Sequence, residues 1–352
     1  MQATRPLTAE DPVSIAIVGC GGISNAHMGG IATQPELDVV AAVDIDEEKL
    51  TAWREKYDVG VGFTDWQEMF KEMSPEIIVF ATWPSQHHEQ ITAAAELGVP
   101  AILCEKSFAL TYAEGKEMAE ACKQSGSLAM EAFMYRHTPR CKQYLERIHS
   151  GEFGDVRAAN ASFSSLFYNP EGDNWRNRKE TGGGIVFDFT CYTVNILRGA
   201  MGRAPKRVIT TGETCPVRDI IVTMNGLLDY GDGVVCRIES TQKSYFRAEV
   251  EVVLETGVLV LPHFLLNKDL AEKTLPRLEI TGGWFDGQVS TPVPVLPGNP
   301  YGLQLMNLAK QLREGEPSSM PLNETLDNLR TIDALILSYE NDCWEHLEEE
   351  AG

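Results

Sequence analysis

The sequence predicts an α/β chain: a parallel, doubly wound sheet first, then an α+β domain built on a large, mostly antiparallel open sheet. Three observations predict it. From Ser14 to Phe133, short runs rich in Val, Ile and Ala alternate with helical segments. Strands buried on both faces read this way, and a β-α-β-α series implies a parallel sheet. Beyond Phe133 the pattern becomes period two: Glu249 and Glu251 fall opposite Ala248, Val250 and Val252, and Arg237 and Glu239 opposite Cys236 and Ile238. That is an antiparallel sheet with one face wet or covered by a partner. The length, 352 residues, suits two domains.

The elements follow in order. Strands are expected at 14–18, 37–43, 59–63, 77–81, 101–104 and 127–133. Asp65 is placed to cap a helix, Thr111 and Glu114 have capping-box spacing, and Gly98 and Gly126 stand where helices end. After the junction a helix is expected at 140–150, and two more close the chain at 301–313 and about 325–347. Leu322, Leu326, Leu329, Ile332 and Ile336 form one apolar stripe on the last. The domains are expected at 1–133 and 134–352, with the closing helices free to pack back on the first.

Composition excludes several classes. A net charge of −21 leaves too few cations to displace counterions from nucleic acid or to hold an anionic membrane. The 8 cysteines are scattered, with no C-x-x-C pair and no zinc-type Cys/His spacing, so no metal is expected. They read as small buried residues in a reducing compartment. Residues 1–12 lack a signal-peptide core, and no apolar run approaches the roughly 18 residues of a membrane span. A cytoplasmic protein is expected.

The first strand runs into Gly19-Cys-Gly21-Gly22-Ile23-Ser24 and then a helix. Gly19 permits the tight turn, Gly21 lets backbone approach a pyrophosphate, and the helix N-terminus offers N–H donors. Asp44 ends the next strand at the spacing a dinucleotide fingerprint requires. The first domain is therefore expected to be a Rossmann domain. Asp44 can accept both adenine-ribose hydroxyls and would repel a 2′-phosphate. The next residues, Ile45, Asp46, Glu47 and Glu48, supply no cation, so NAD is expected over NADP. The other reading of Asp44 is an N-cap for the following helix.

Three constellations remain. Thr82-Trp83-Pro84 with His88, and Glu105-Lys106, follow the fourth and fifth strands, at the cofactor side of such a sheet. Trp175-Arg176 and Gly182–Gly184 leading to Asp188 and Tyr192 lie far downstream. In these motifs the chain resembles, over its whole length, the glucose–fructose oxidoreductase / inositol dehydrogenase / rhizopine-catabolism (Gfo/Idh/MocA) family. Pro84 and His88 match its T-P-x-x-x-H, Glu105-Lys106 its E-K-P, and Asp188 and Tyr192 its D-x-G-x-H/Y. Glu131 to Arg136, with Trp175-Arg176, is similar to the branch of xylose and dihydrodiol dehydrogenases. Ser107 and Thr190 depart from the family's proline and glycine, which bears on substrate identity.

The resemblance implies roles. Lys106 and Tyr192 would flank the nicotinamide, with Tyr192 as acid/base. Asp188 would hold substrate or orient the pair, Glu105 would meet the nicotinamide ribose, and Arg136, Trp175 and Arg176 would line the substrate site. A nearby ammonium favours the phenolate of a tyrosine, which otherwise titrates near pH 10. Taken alone, each residue has a plainer reading. Lys106 is then a solvated lysine, Tyr192 a helix-face aromatic and Asp188 a helix cap. His88 has no chemical task, Trp175 and Arg176 close a loop, and Arg136 pairs with an acidic neighbour. The expected protein is an NAD-dependent dehydrogenase of a sugar or cyclic polyol, aldose C1 first. It would be a homodimer or homotetramer through the second-domain sheet. The alternatives are oxidation at C3 of a glycoside to a keto sugar, NAD cycling without release, and a non-catalytic NAD-binding sensor.

Overall fold

The computed structural model describes residues 5–265 and 298–347, which fall into two compact units. The first takes the chain through Thr138, except Leu110–Tyr112, and adds Gly298–Leu322. The second takes those three residues, the chain from Pro139 and the chain from Asn323.

The first unit alternates strand and helix: β1 (Val13–Val18), α1 (Gly22–Ile31), β2 (Leu37–Val43), α2 (Glu47–Tyr57), β3 (Gly62–Phe63), α3 (Trp66–Met73), β4 (Ile77–Phe80), α4 (Pro84–Glu96), β5 (Ala101–Cys104), α5 (Tyr112–Ser125) and β6 (Leu128–Glu131). The strands pair in parallel in the order β3-β2-β1-β4-β5-β6. The order reverses between β1 and β4, and a ligand crevice lies outside the strand carboxyl ends at such a switch point. Every residue of β4 and β5 is buried, which explains their unbroken apolar runs. Asp65 caps α3 by accepting the Gln67 amide at 2.7 Å. Gly98 and Gly126 take φ of +76° and +79°, the left-handed turn expected past a helix end.

Two boundaries differ from expectation. The third strand is only Gly62–Phe63, and the chain before it is tied instead to α2, where Arg54 donates to the carbonyls of Val59, at 3.0 Å, and of Gly60. The sixth strand stops at Glu131, and the chain turns into a 3-10 helix at Met134–His137.

Helix α8 (Pro300–Glu314) belongs to this unit. Asn299 caps it, accepting the Tyr301 amide at 3.0 Å. It crosses α1 where Gly302 meets Gly30: a Cβ on Gly302 would lie 2.5 Å from the Gly30 carbonyl oxygen. Its other end is pinned by buried Arg313, which donates to Glu76 at 2.9 and 2.6 Å and to the carbonyl of Asp11 at 2.7 Å.

The second unit contains α6 (Pro139–His149), β7 (Val156–Ser164), α7 (Cys191–Met201), β8 (Arg207–Cys215), β9 (Ile220–Gly231), β10 (Val234–Thr241), β11 (Arg247–Leu254), β12 (Val258–Pro262), most of α9 (Leu322–Asn341) and β13 (Glu345–His346). Its sheet runs β12-β11-β7-β10-β9-β8-β13; β7 and β10 are parallel and the other neighbours antiparallel. Ala248, Val250, Val252, Cys236 and Ile238 are buried as the alternation requires. α7 is buried from Cys191 to Ala200, as a helix covered all round must be.

The last helix ends at Asn341, short of the expected 347. Asp342 turns to φ +50°, Ser338 Oγ donates to the Cys343 carbonyl at 2.6 Å, and Glu345–His346 pair with β8 instead. Its buried face is also turned from the expected stripe. Leu329 and Ile332 are buried, but Leu326 and Ile336 only partly, while Thr325, Asn328, Thr331 and Ser338 go inside. Ser338 and Thr331 fit there because they have partners: Ser338 Oγ accepts the Thr210 amide at 3.0 Å, and the Thr331 hydroxyl donates to the Asp327 carbonyl at 2.7 Å. Among the described residues no helix is long and apolar enough to cross a membrane.

Gly302→Ala should force α8 off α1 and lower stability by about 1–3 kcal/mol, the usual cost of overpacking. Urea unfolding would check it, and an unchanged midpoint would disprove the close crossing.

Candidate active site

The phosphate loop is built as the fingerprint demands. Gly19 has φ +97°, and a Cβ there would lie 2.7 Å from the Ala81 carbonyl oxygen at the end of β4. Both the backbone angle and the space therefore require glycine. Gly21 opens α1 without a side-chain cap, and a Cβ on Gly21 or Gly22 would meet nothing within 4 Å. The backbone there is thus open to close approach, as a pyrophosphate cradle requires. Ile23 follows in the first turn and is half-buried. Ser24 is fully buried. Its hydroxyl donates to the Gly21 carbonyl at 2.6 Å and accepts the Trp53 indole N–H at 2.9 Å. Its side chain therefore braces the loop.

Asp44 is buried at the end of β2. Its Oδ2 accepts the Cys20 amide at 2.8 Å, inside the loop, and its Oδ1 accepts the Asp46 amide at 3.0 Å. The helix cap is Asp46, which accepts the Lys49 amide at 3.1 Å, so the capping reading of Asp44 fails. Lys49 Nζ stands 2.7 Å from Asp44 Oδ2. Burial pushes the Asp44 carboxyl up, but Lys49 and the two amides outweigh it and leave it below its ordinary value. The same burial, with Asp44 beside it, pushes the Cys20 thiol up to about 12. Lys49, one residue beyond the acidic run at 46–48, thus places a cation on the Asp44 carboxylate.

A cleft of about 560 Å³ opens beside Asp44, lined also by Gly19, Gly21, Ile45, Lys49, Thr82 and Trp83. The structure thus brings together the predicted residues from the ends of β1, β2 and β4. Ile45 is 87% exposed and presents a bare apolar surface there. Trp83 precedes α4, and Pro84 occupies its first turn, where a missing N–H costs nothing.

His88 is a correction. Its ring bonds Glu117 at 2.8 Å on the protein surface and does not line the cleft. Its neighbour His87 points inward, fully buried, with Nδ1 2.8 Å from the Ser107 carbonyl oxygen. Burial holds His87 below its ordinary imidazole value. Glu105 is buried at the end of β5, and its Oε1 lies 2.8 Å from Nε2 of His27 on α1. Its Oε2 accepts the Lys106 amide at 3.3 Å. The Lys106–Ser107 peptide is cis. Arg136 is buried in the turn after β6, outside the cleft. Neither His27 nor His87 carried a sequence signal beyond its place on a helix face that packs inward.

The second unit carries the other half of the predicted set. Asp188, 2% exposed, lies in a π-helical turn at Val186–Thr190 that leads into α7. Such turns recur at functional sites. Arg176 donates to it from Nε at 2.6 Å and from its second nitrogen at 3.4 Å, and stacks its guanidinium over Trp175 at 4.6 Å. Asp188 is therefore an ion-pair partner rather than a helix cap. Gly183 sits beneath the turn that carries Trp175 and Arg176: a Cβ there would lie 2.5 Å from the Arg178 carbonyl oxygen. The glycine run thus packs that turn against the segment leading to Asp188. Tyr192, one turn beyond Asp188, is buried with its ring edge-on to Phe163 at 5.6 Å. Thr190, also buried, accepts the Thr193 hydroxyl at its carbonyl, at 2.9 Å.

A Rossmann unit with an open phosphate cradle, and a second unit presenting a buried Asp–Arg pair beside a tyrosine, define a two-domain nucleotide-dependent oxidoreductase. The model of the oxidoreductase family with NAD-binding Rossmann fold matches residues 13–133, and the GFO/IDH/MocA C-terminal domain matches residues 142–260. The chain belongs to the Gfo/Idh/MocA family and is an oxidoreductase. It is 28% identical over 332 residues to a D-xylose 1-dehydrogenase (NADP(+)) of Haloferax volcanii, covering 92% of this chain and 96% of that one. It is 28% identical over 232 residues to the mouse trans-1,2-dihydrobenzene-1,2-diol dehydrogenase, covering 64% of this chain and 68% of that one. Its fold matches levoglucosan dehydrogenase in complex with NADH and levoglucosan with a TM-score of 0.86 at 19% identity, covering 96% of this chain and 100% of that one.

Arg176→Lys should not restore the paired donors to Asp188, because an ammonium cannot match the guanidinium fork. Both Arg176→Lys and Arg176→Ala should lower stability, by about 1–3 kcal/mol for the charged hydrogen bonds lost. Thermal unfolding that finds the lysine variant equal to the parent would contradict a fork-dependent pair.

Proposed function

We propose that the protein is an NAD-preferring dehydrogenase of a sugar or cyclic polyol hydroxyl, with aldose C1 as the first substrate position to test. The observation that carries the reading is Tyr192 one helical turn beyond a buried carboxylate, Asp188, which Arg176 grips with two nitrogens. A sensor has no use for an acid/base tyrosine set beside such a pair. Support for the substrate class comes from relatives named for D-xylose and levoglucosan.

Bound NAD would supply the hydride acceptor. The chain's own residues do the rest. The phenol oxygen of Tyr192 takes the proton of the substrate hydroxyl as its carbon gives up hydride and a carbonyl forms. Lys106 contributes the positive charge that favours the phenolate. Asp188 accepts from a neighbouring substrate hydroxyl, while Trp175, Arg176 and Arg136 shape the substrate site. Asp44 accepts the adenine-ribose hydroxyls, and Glu105 serves the nicotinamide end. The outward face of the second sheet carries Leu227 and Val235, each more than a third exposed, among charged residues. We assign that face to a homodimer or homotetramer. All 8 cysteines are thiols rather than disulfides, which fits a reducing cytoplasm.

Tyr192→Phe should leave NAD binding within about twofold and lower turnover by about 10²–10⁴, the usual worth of a general acid/base. Unchanged NADH formation with aldoses and polyols would remove Tyr192 from the mechanism. Cofactor choice is tested at Lys49. NAD should be preferred, and residual use of NADP should depend on Lys49 meeting the 2′-phosphate. Lys49→Met should lower kcat/KM with NADP by about tenfold, as for one lost charged hydrogen bond. The value with NAD should stay within about twofold. A parent enzyme faster with NADP than with NAD would overturn the argument from Asp44.

A further inference from the structure

Lys106 is flanked by two residues that are both held from behind by buried histidines. On one side, Glu105 takes a hydrogen bond at Oε1 from His27 Nε2, at 2.8 Å, and turns Oε2 to the Lys106 amide. On the other side, the Ser107 carbonyl takes a hydrogen bond from His87 Nδ1, also at 2.8 Å. The two rings come from different helices, His27 from α1 and His87 from α4, and each has no exposed surface. α1 is the helix that begins at the phosphate cradle, and α4 begins beside Trp83 in the cleft.

The proton positions follow from the partners. His27 Nε2 faces a carboxylate and His87 Nδ1 faces a carbonyl, so each carries the hydrogen. The opposite ring nitrogens, His27 Nδ1 and His87 Nε2, are buried without a hydrogen-bond partner. A bare ring nitrogen is less costly to bury than an unpaired N–H, which agrees with these tautomers. Tyr301 of α8 closes on the His27 ring edge-on at 5.2 Å, and the glycine crossing of α1 and α8 permits that approach. Burial, and then Glu105 nearby, push the Tyr301 hydroxyl well above the ordinary phenol range, so it stays protonated beside the carboxylate. Nothing in a packed core requires two imidazoles to bracket one lysine.

We propose that His27 and His87 are positioning residues: together they fix Glu105 and Ser107, and thereby set the backbone that presents Lys106 to the nicotinamide half of the cofactor. This rests on the dinucleotide reading of the first unit. The clamp acts at the nicotinamide end only, since the cradle and Asp44 make their own contacts to the adenosine and phosphates.

Binding of NADH and of ADP, measured by fluorescence and calorimetry, separates the two ends, because ADP lacks the second ribose and the nicotinamide. His27→Leu and His87→Leu should each weaken NADH roughly tenfold, as for one lost charged or buried hydrogen bond, and leave ADP within about twofold. His27→Gln places an amide donor near Nε2 and His87→Asn places one near Nδ1, and both should restore NADH binding. If a leucine variant does not fold, His27→Asn, too short to reach Glu105, or His87→Ala replaces it with the same expectation. Equal loss of NADH and ADP, NADH binding unchanged in the variants, or no rescue by the amides overturns the clamp. Failure of the unaltered protein to bind either ligand instead overturns the dinucleotide reading beneath it.

Discussion

A buried carboxylate organises the nucleotide end of this protein. Asp44 accepts one amide from the phosphate loop and one from the start of α2, and holds an ammonium from the next turn. A buried charge persists only when hydrogen bonds and an opposite charge replace its water. Here they come from two segments, the loop after β1 and the opening of α2, that must each be in place. The loop after β1, the end of β2 and the opening of α2 are therefore fixed by one side chain. The cleft takes its shape from that knot. Its charge does too, since Lys49 sets an ammonium beside the Asp44 carboxylate.

A second constraint is closeness of backbone. Gly19 against β4, Gly302 against Gly30, and Gly183 beneath the Trp175–Arg176 turn all sit where a methyl group does not fit. Each close approach brings a functional element to its place. The first shapes the phosphate loop, the second brings Tyr301 onto His27, and the third ties Arg176 to the stretch that carries Asp188.

Much of this was legible in the residues. The parallel sheet showed in β4 and β5, because strands buried on both faces leave unbroken apolar runs. The second sheet showed in β10 and β11, because a sheet with one wet face leaves alternation. The glycine loop and Asp44 were legible because backbone geometry and charge restrict those positions to few residue types. His88 was misplaced for a reason of the same kind: a motif fixes spacing, but the turn of α4 decides which of two adjacent histidines faces inward. Ser24 looked like a ligand contact, yet its hydroxyl is used by Gly21 and Trp53. Lys49, His27 and His87 were missed because their meaning lies in partners distant along the chain or on the next turn. The buried face of α9 was misread because Thr, Asn and Ser count as polar in a pattern, whereas Ser338 has a strand amide to accept.

The arrival of α8 in the first unit has a bearing on how the chain is made. A ribosome releases residues in order, and every described strand of the second sheet except β13 precedes α8. Until α8 emerges, the glycine face of α1 lies open, His27 lacks its aromatic cover, and Glu76 lacks the guanidinium of Arg313. The nucleotide-binding unit is thus finished after most of the second unit has been synthesised. A ligand that needs Glu105 held in place meets a completed site only after α8 has emerged.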